Sequence, residues 1–122
     1  MSVQIKVVKT KREFRAFATF ANKLYKGNRF YVPTMPLDDL AVFDKNKNAA
    51  YEFCEAEFFM AYKDGKAVGR IAAIINSKAN AAWNVKQVRY GWIDFIDDIE
   101  VSSALLETVA DWGRKRGMTQ IA

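Results

Sequence analysis

Histidine is absent from this 122-residue chain, and cysteine occurs once, at Cys54. Without histidine there is no Ser-His-Asp triad, no His-ligated zinc and no imidazole base. One thiol excludes a disulfide framework and any multi-cysteine metal cluster within a single chain, so no metal site is expected. Two prolines and six glycines are too few for a loop-dominated or fibrous protein. No apolar run approaches the roughly 20 residues of a membrane-spanning helix. The stretch Met1–Lys6 is charged within a few residues and lacks the apolar core of a targeting segment. These absences, with one free cysteine, set the expectation of a cytoplasmic protein without a membrane partner.

What is present suits one domain with its own core. Hydrophobic residues make up 51% of the chain and charged residues 27%, and nine Phe, five Tyr and three Trp supply bulk. The net charge of +5 is unevenly spread: residues 1–50 hold ten Lys/Arg against four Asp/Glu, and residues 51–122 hold nine against ten. A basic half can attract anions. Here, however, the cations lack the Arg-rich, aromatic-interleaved clustering of a nucleic-acid platform, and a solvated helix face accounts for them better.

Val3–Val8 alternates apolar and polar residues, and a strand is expected near 3–8. Thr10-Lys11-Arg12-Glu13 is a capping box opening a helix near 11–26, with Phe14, Phe17, Ala18, Ala21, Leu24 and Tyr25 on one face and Gly27 as its stop. Lys11, Arg12, Arg15, Lys23 and Lys26 are spread over the polar side. Asn28 to Glu55 has poor periodicity: Pro33 and Pro36 punctuate it, Asp38–Phe43 suits a short helical turn, and Asp44–Asn48 is a polar loop. A stretch of this kind either wraps the surface or lines a site.

Strands are expected near 57–63 and 67–76, joined by Lys63-Asp64-Gly65-Lys66, whose Asp-Gly pair marks a hairpin; Gly65 and Gly69 read as hairpin glycines. Ser77–Asn84 is a polar connection and 87–95 a third consecutive strand. Asp98 N-caps a helix near 99–116 with a buried stripe of Val101, Ala104, Leu105, Val109 and Trp112, and Arg114-Lys115-Arg116 complement its dipole before Gly117. A strand at 118–122 closes the pattern. The fold class is α/β (α+β): a mixed, mostly antiparallel sheet with helices on both faces, apparently truncated after the fifth strand.

Asp64–Ala73 and Ala104–Gly117 resemble the GNAT acyltransferase superfamily. Val32-Pro33, Val68–Ala72, Phe95–Asp98 and Trp112–Gly117 together resemble a longer, uncharacterised bacterial GNAT-like group, which implies that 1–122 is a single partial domain, the N-terminal part of a longer protein or a naturally curtailed one. The resemblance implies acyl-CoA or acetyl-CoA as cofactor, its pantetheine on the backbone of Trp92, Ile93, Asp94 and Phe95 and its pyrophosphate at Asp98, Ser102 and Ser103. It also implies a small-molecule acyl acceptor near 28–56, and it names no catalytic residue here. In that family a Gln/Arg-x-x-Gly-x-Gly/Ala loop cradles the pyrophosphate. The corresponding positions are Asp97, Glu100 and Ser102, so carboxylates stand where bare amides belong. One phosphate–carboxylate contact at about 4 Å costs on the order of 4 kcal/mol at an effective dielectric of about 20.

Two readings therefore stand: part of an acyltransferase that is inactive and binds CoA weakly or not at all as this segment alone, or a non-catalytic binding or assembly module. Either way the apolar edge of the last strand favours a homo-oligomer through 101–122. The acids at 98 and 100 also have a simple helix-dipole role. Asp94 is either a base of raised pKa or a solvent-facing carboxylate. Cys54 reads as a structural thiol, and Trp83, Trp92 and Trp112 as core or interface residues.

Overall fold

The computed structural model describes residues 3–26 and 54–121. The expectations placed on 27–53, including the stop at Gly27, the prolines, the helical turn, the polar loop and the segment near the acceptor, lie outside the described residues, apart from the few residues at 54–56. Strand β1 (Gln4–Val7) leads into helix α1 (Lys11–Leu24); β2 (Cys54–Lys63) and β3 (Lys66–Asn76) follow; helix α2 (Ser77–Trp83) precedes β4 (Gln87–Phe95), helix α3 (Ile99–Arg114) and β5 (Gln120–Ile121). One five-stranded sheet runs in sequence order. Its first three pairings are antiparallel, and β4–β5 is parallel, joined through α3.

The two long helices cover opposite faces. Under α1, Phe17, Ala18 and Phe20 pack against Ala56, Phe58, Met60 and Ala72. Under α3, Val101, Leu105, Val109 and Trp112 pack against Phe59, Ala61, Ile71, Ala73 and Val88. The alternation of β2 delivers both cores, since Phe58 and Met60 face one helix while Phe59 and Ala61 face the other. The basic residues of α1 are exposed, as the solvated-face reading expects.

Local chemistry explains the boundaries. Thr10 Oγ1 accepts from Glu13 N–H at 3.1 Å, and the Glu13 carboxylate accepts from Thr10 N–H at 2.9 Å, completing the capping box. Asp64 and Gly65 both have positive φ (53° and 76°), the geometry of a two-residue hairpin turn.

Three expectations need correcting. β2 begins at Cys54, not 57, because Cys54, Glu55 and Ala56 pair with Asn76, Ile75 and Ile74. The connection at 77–84 is largely a helix, capped by the Asn76 side chain and closed by Asn84 in the left-handed region; it buries no residue, so it has no apolar stripe to betray it. Gly69 does no turn work. It lies in β3 beneath α3, where an added Cβ would meet Leu105 Cδ1 at 2.9 Å and Val101 Cγ1 at 3.0 Å.

Candidate functional site

β4 is regular until it reaches Ile71 of β3. Gly91 pairs with Ala72 and Asp94 with Arg70, so Trp92 and Ile93 together oppose one residue. This is a β-bulge. Val88 lies under α3 and Asp94 meets Arg70 on the α1 face, although an unbroken strand would put residues six apart on one face. The extra residue reverses the phase. Trp92 absorbs it with φ at +50°, a left-handed conformation uncommon for a bulky side chain. β5 pairs only with Gln87 and Val88, so among the described residues β4 from Arg89 to Phe95 has no strand on its other side. A strand edge of this kind offers backbone donors and acceptors to an extended ligand.

The strand ends at the start of α3. Asp98 Oδ1 accepts from Glu100 N–H at 2.9 Å, while Val101 and Ser102 donate their N–H groups to the Asp98 carbonyl at 3.1 and 3.2 Å. Asp98 Oδ2 lies 2.7 Å from Lys63 Nζ, which also reaches Glu100 Oε2 at 3.3 Å. The hydrogen bond from Lys63 holds the Asp98 carboxyl below its ordinary range; desolvation opposes it, and the Glu100 amide adds to it. Reciprocally, the hydrogen bond to Asp98 holds the Lys63 ammonium above its own. Asp97 is exposed, Ser102 Oγ donates to Ile99 O at 3.1 Å, and Ser103 faces solvent. The helix start thus already holds an anion, its own Asp98 carboxylate, with a cation clipped to it.

Lys63 is the site residue the sequence reading missed. It lies 35 positions before Asp98, and its signal was phase: Phe59, Ala61 and Lys63 share the α3 face of β2. Asp94 does not sit on the solvent face. Its carboxylate is largely covered, ion-paired to Arg70 at 2.8 Å and accepting from the Tyr25 hydroxyl at 2.9 Å, because the bulge turns it inward. Ile93 packs toward the α3 core, Phe95 is partly exposed beside Gly69, and Trp92 packs toward the α1 core. Burial raises the Cys54 thiol above its ordinary range, with Arg89 pulling the other way. A thiol kept protonated suits the structural role. Trp112 is core, whereas Trp83 is exposed. Among the described residues no cluster could hold a metal ion, and no helix is long and apolar enough to cross a membrane.

No protein-family model matches the chain. Two curated proteins do. Protein YghO of Escherichia coli is 27% identical over 112 residues, covering 92% of this chain and 28% of that protein. The bacterial ceramide synthase of Caulobacter vibrioides is 26% identical over 113 residues, covering 92% and 29%. The chain therefore spans less than a third of the length of the curated relatives it matches. Among solved structures, a tandem GNAT protein from the clavulanic acid biosynthesis pathway superposes with a TM-score of 0.73 at 13% identity, over 98% of this chain and 35% of that one. A putative acetyl transferase from Pyrococcus furiosus superposes with a TM-score of 0.63 at 17% identity, over 99% and 80%. At these identities the likeness is one of architecture, and that architecture is the GNAT acetyltransferase fold.

Proposed function

We propose that this chain is the acyl-CoA-facing part of an N-acyltransferase and that it is inactive alone. The supporting observation is the bulged β4, open along Arg89–Phe95, running straight into the start of α3 within a GNAT fold. An extended pantetheine needs only backbone partners, and Trp92 to Phe95 offer them whatever their side chains. The helix start fits a pyrophosphate poorly. Asp98 occupies the Glu100 amide, and Asp97, Asp98 and Glu100 outnumber Lys63. The relative named a ceramide synthase supports a long-chain primary amine as the acceptor, since ceramide is the amide of a long-chain amino alcohol.

A second reading, a binding or assembly module that keeps the scaffold without turnover, is favoured by that same Asp98–Lys63 occupancy. Under either reading the chain self-associates through 101–122. Titration calorimetry with acetyl-CoA separates the two. Expected for the chain is a dissociation constant weaker than micromolar, improved in the Asp97→Arg, Glu100→Gly double variant. A longer natural product carrying this segment is expected to form an amide from an acyl-CoA and a long-chain amine, read by mass spectrometry. No gain in the double variant and no amide product would favour the module.

A further inference from the structure

Arg70 is 4% exposed, the one charged residue buried among the described residues. Its Nε and Nη2 donate to Asp94 Oδ2 at 3.0 and 2.8 Å, and its Nη1 donates to Phe17 O at 2.6 Å and more distantly to Ala18 O at 3.5 Å. The guanidinium lies 5.2 Å from the Phe17 ring and 5.5 Å from the Trp92 ring. Tyr25 at the end of α1 supplies the other carboxylate oxygen of Asp94 with its hydroxyl. Arg70 and Asp94 are also cross-strand partners, at the pair adjoining the bulge.

We infer that Arg70 and Asp94 are positioning residues that lock the bulge of β4 and so set the aim of the Trp92 and Ile93 backbone at the proposed acyl-CoA edge; that last step rests on the function proposed above. Consider β4 without its bulge, continuing in register from the Gly91–Ala72 pair. Trp92 would oppose Ile71, Ile93 would oppose Arg70, and Asp94 would oppose Gly69. Gly69 lies directly beneath Val101 and Leu105. The slip would thus bury a carboxylate in the α3 core and strand a guanidinium among Phe17 and Ala18. Each is an unpaired buried charge, the costliest defect an interior can carry. A one-residue slip also reverses every face. The ion pair therefore forbids the regular register and makes a tryptophan at φ +50° the better option, a specificity role for a buried pair rather than a stability role.

The test replaces the pair with apolar residues of similar size, Arg70→Met with Asp94→Leu, which removes the penalty on the regular register. NMR cross-strand contacts and the Trp92 amide–Hα coupling report the outcome. Expected is a folded chain in which residue 94 faces Gly69, Trp92 becomes extended, and the bulge is lost. Retention of the 70–94 pairing with Trp92 still at positive φ would overturn the lock. Acetyl-CoA titration of the same variant tests the aim: loss of whatever binding the wild type has supports it, and unchanged binding after a slip overturns it. If the wild type binds none, as the function reading allows for this segment alone, the titration is made in the Asp97→Arg, Glu100→Gly background. There the slip should abolish the gained binding, and unchanged binding overturns the aim. No gain in that background fails the function reading, while the register result still decides the lock. Should the double variant not fold, Arg70→Lys keeps the charge without the fork. Its Ile96 amide, bonded to Val68 O, should then exchange about tenfold faster while the Val8 amide, bonded to Phe58 O, is unchanged. Equal acceleration at both sites would reduce Arg70 to general support and overturn the proposal.

Discussion

Gly113 lies in the last turn of α3, where glycine costs a helix about 1 kcal/mol relative to alanine. The reason for it is beneath the helix: a Cβ there would sit 2.7 Å from Val88 Cγ1 and 3.0 Å from Val88 Cβ. Overpacking typically costs about 1–3 kcal/mol, more than the helix gains. Gly113→Ala is therefore expected to lower the melting temperature by a few degrees, and adding Val88→Ala to make room should recover part of that loss. Arg70 gives a larger effect. Arg70→Met alone leaves Asp94 largely covered with only the Tyr25 hydroxyl, and breaking a buried pair costs about 3–5 kcal/mol. Chemical denaturation should place it near the lower end of that range, because Asp94 keeps some solvent. The apolar stripes of α1 and α3 were legible in the sequence because their spacing is local. Arg70 and Lys63 were not legible, since their partners lie 24 and 35 positions away and are chosen by sheet phase.

At the scale of elements, signals that act over three or four residues were the readable ones. The box at Thr10 and Glu13, the Asp-Gly turn and the Asp98 cap all stand as the sequence implies, whereas α2 and the bulge, which rest on short polar caps and on tertiary register, do not announce themselves. The caps also set the acid response. The Thr10 amide, then the Lys9 amide, hold the Glu13 carboxyl below its ordinary range, and the Lys63 hydrogen bond does the same for Asp98. A depressed carboxyl contributes stability that is complete above its unfolded value, about 4, and is lost as pH falls through the lower folded value. Lys63 acts at the other end: its contribution holds below about 10 and fades as pH rises through its raised value. Thermal melts should show Glu13→Gln less stable than wild type at neutral pH, with the difference closing as pH falls through the lowered Glu13 value. A gap that persists in acid would mean the cap works without charge. Thr10→Ala, which removes the reciprocal half, is expected to cost about 1 kcal/mol.

Across the whole molecule, the sheet is covered by α1 on one face and α3 on the other, yet α3 presents apolar side chains outward as well. Ile99 is 83% exposed and Leu106 38%, and they lie seven residues apart, two turns along one side of the helix. Ile121 on β5 is 45% exposed. Single exposed leucines are ordinary, whereas an apolar line on the helix joining two parallel strands is what a partner surface offers. Charge at that side is partly paired, since Arg114 bridges Glu107 and Asp111 at 3.0 Å each, one cation for two carboxylates. Sedimentation velocity at micromolar concentration is expected to show a dimer or larger species, and Leu106→Glu with Ile121→Lys should shift it toward monomer without loss of helical signal, since neither side chain belongs to the two buried cores. A wild-type chain that sediments as one monomer throughout that range would rule out self-association through 101–122, and the outer face of α3 would then be ordinary surface.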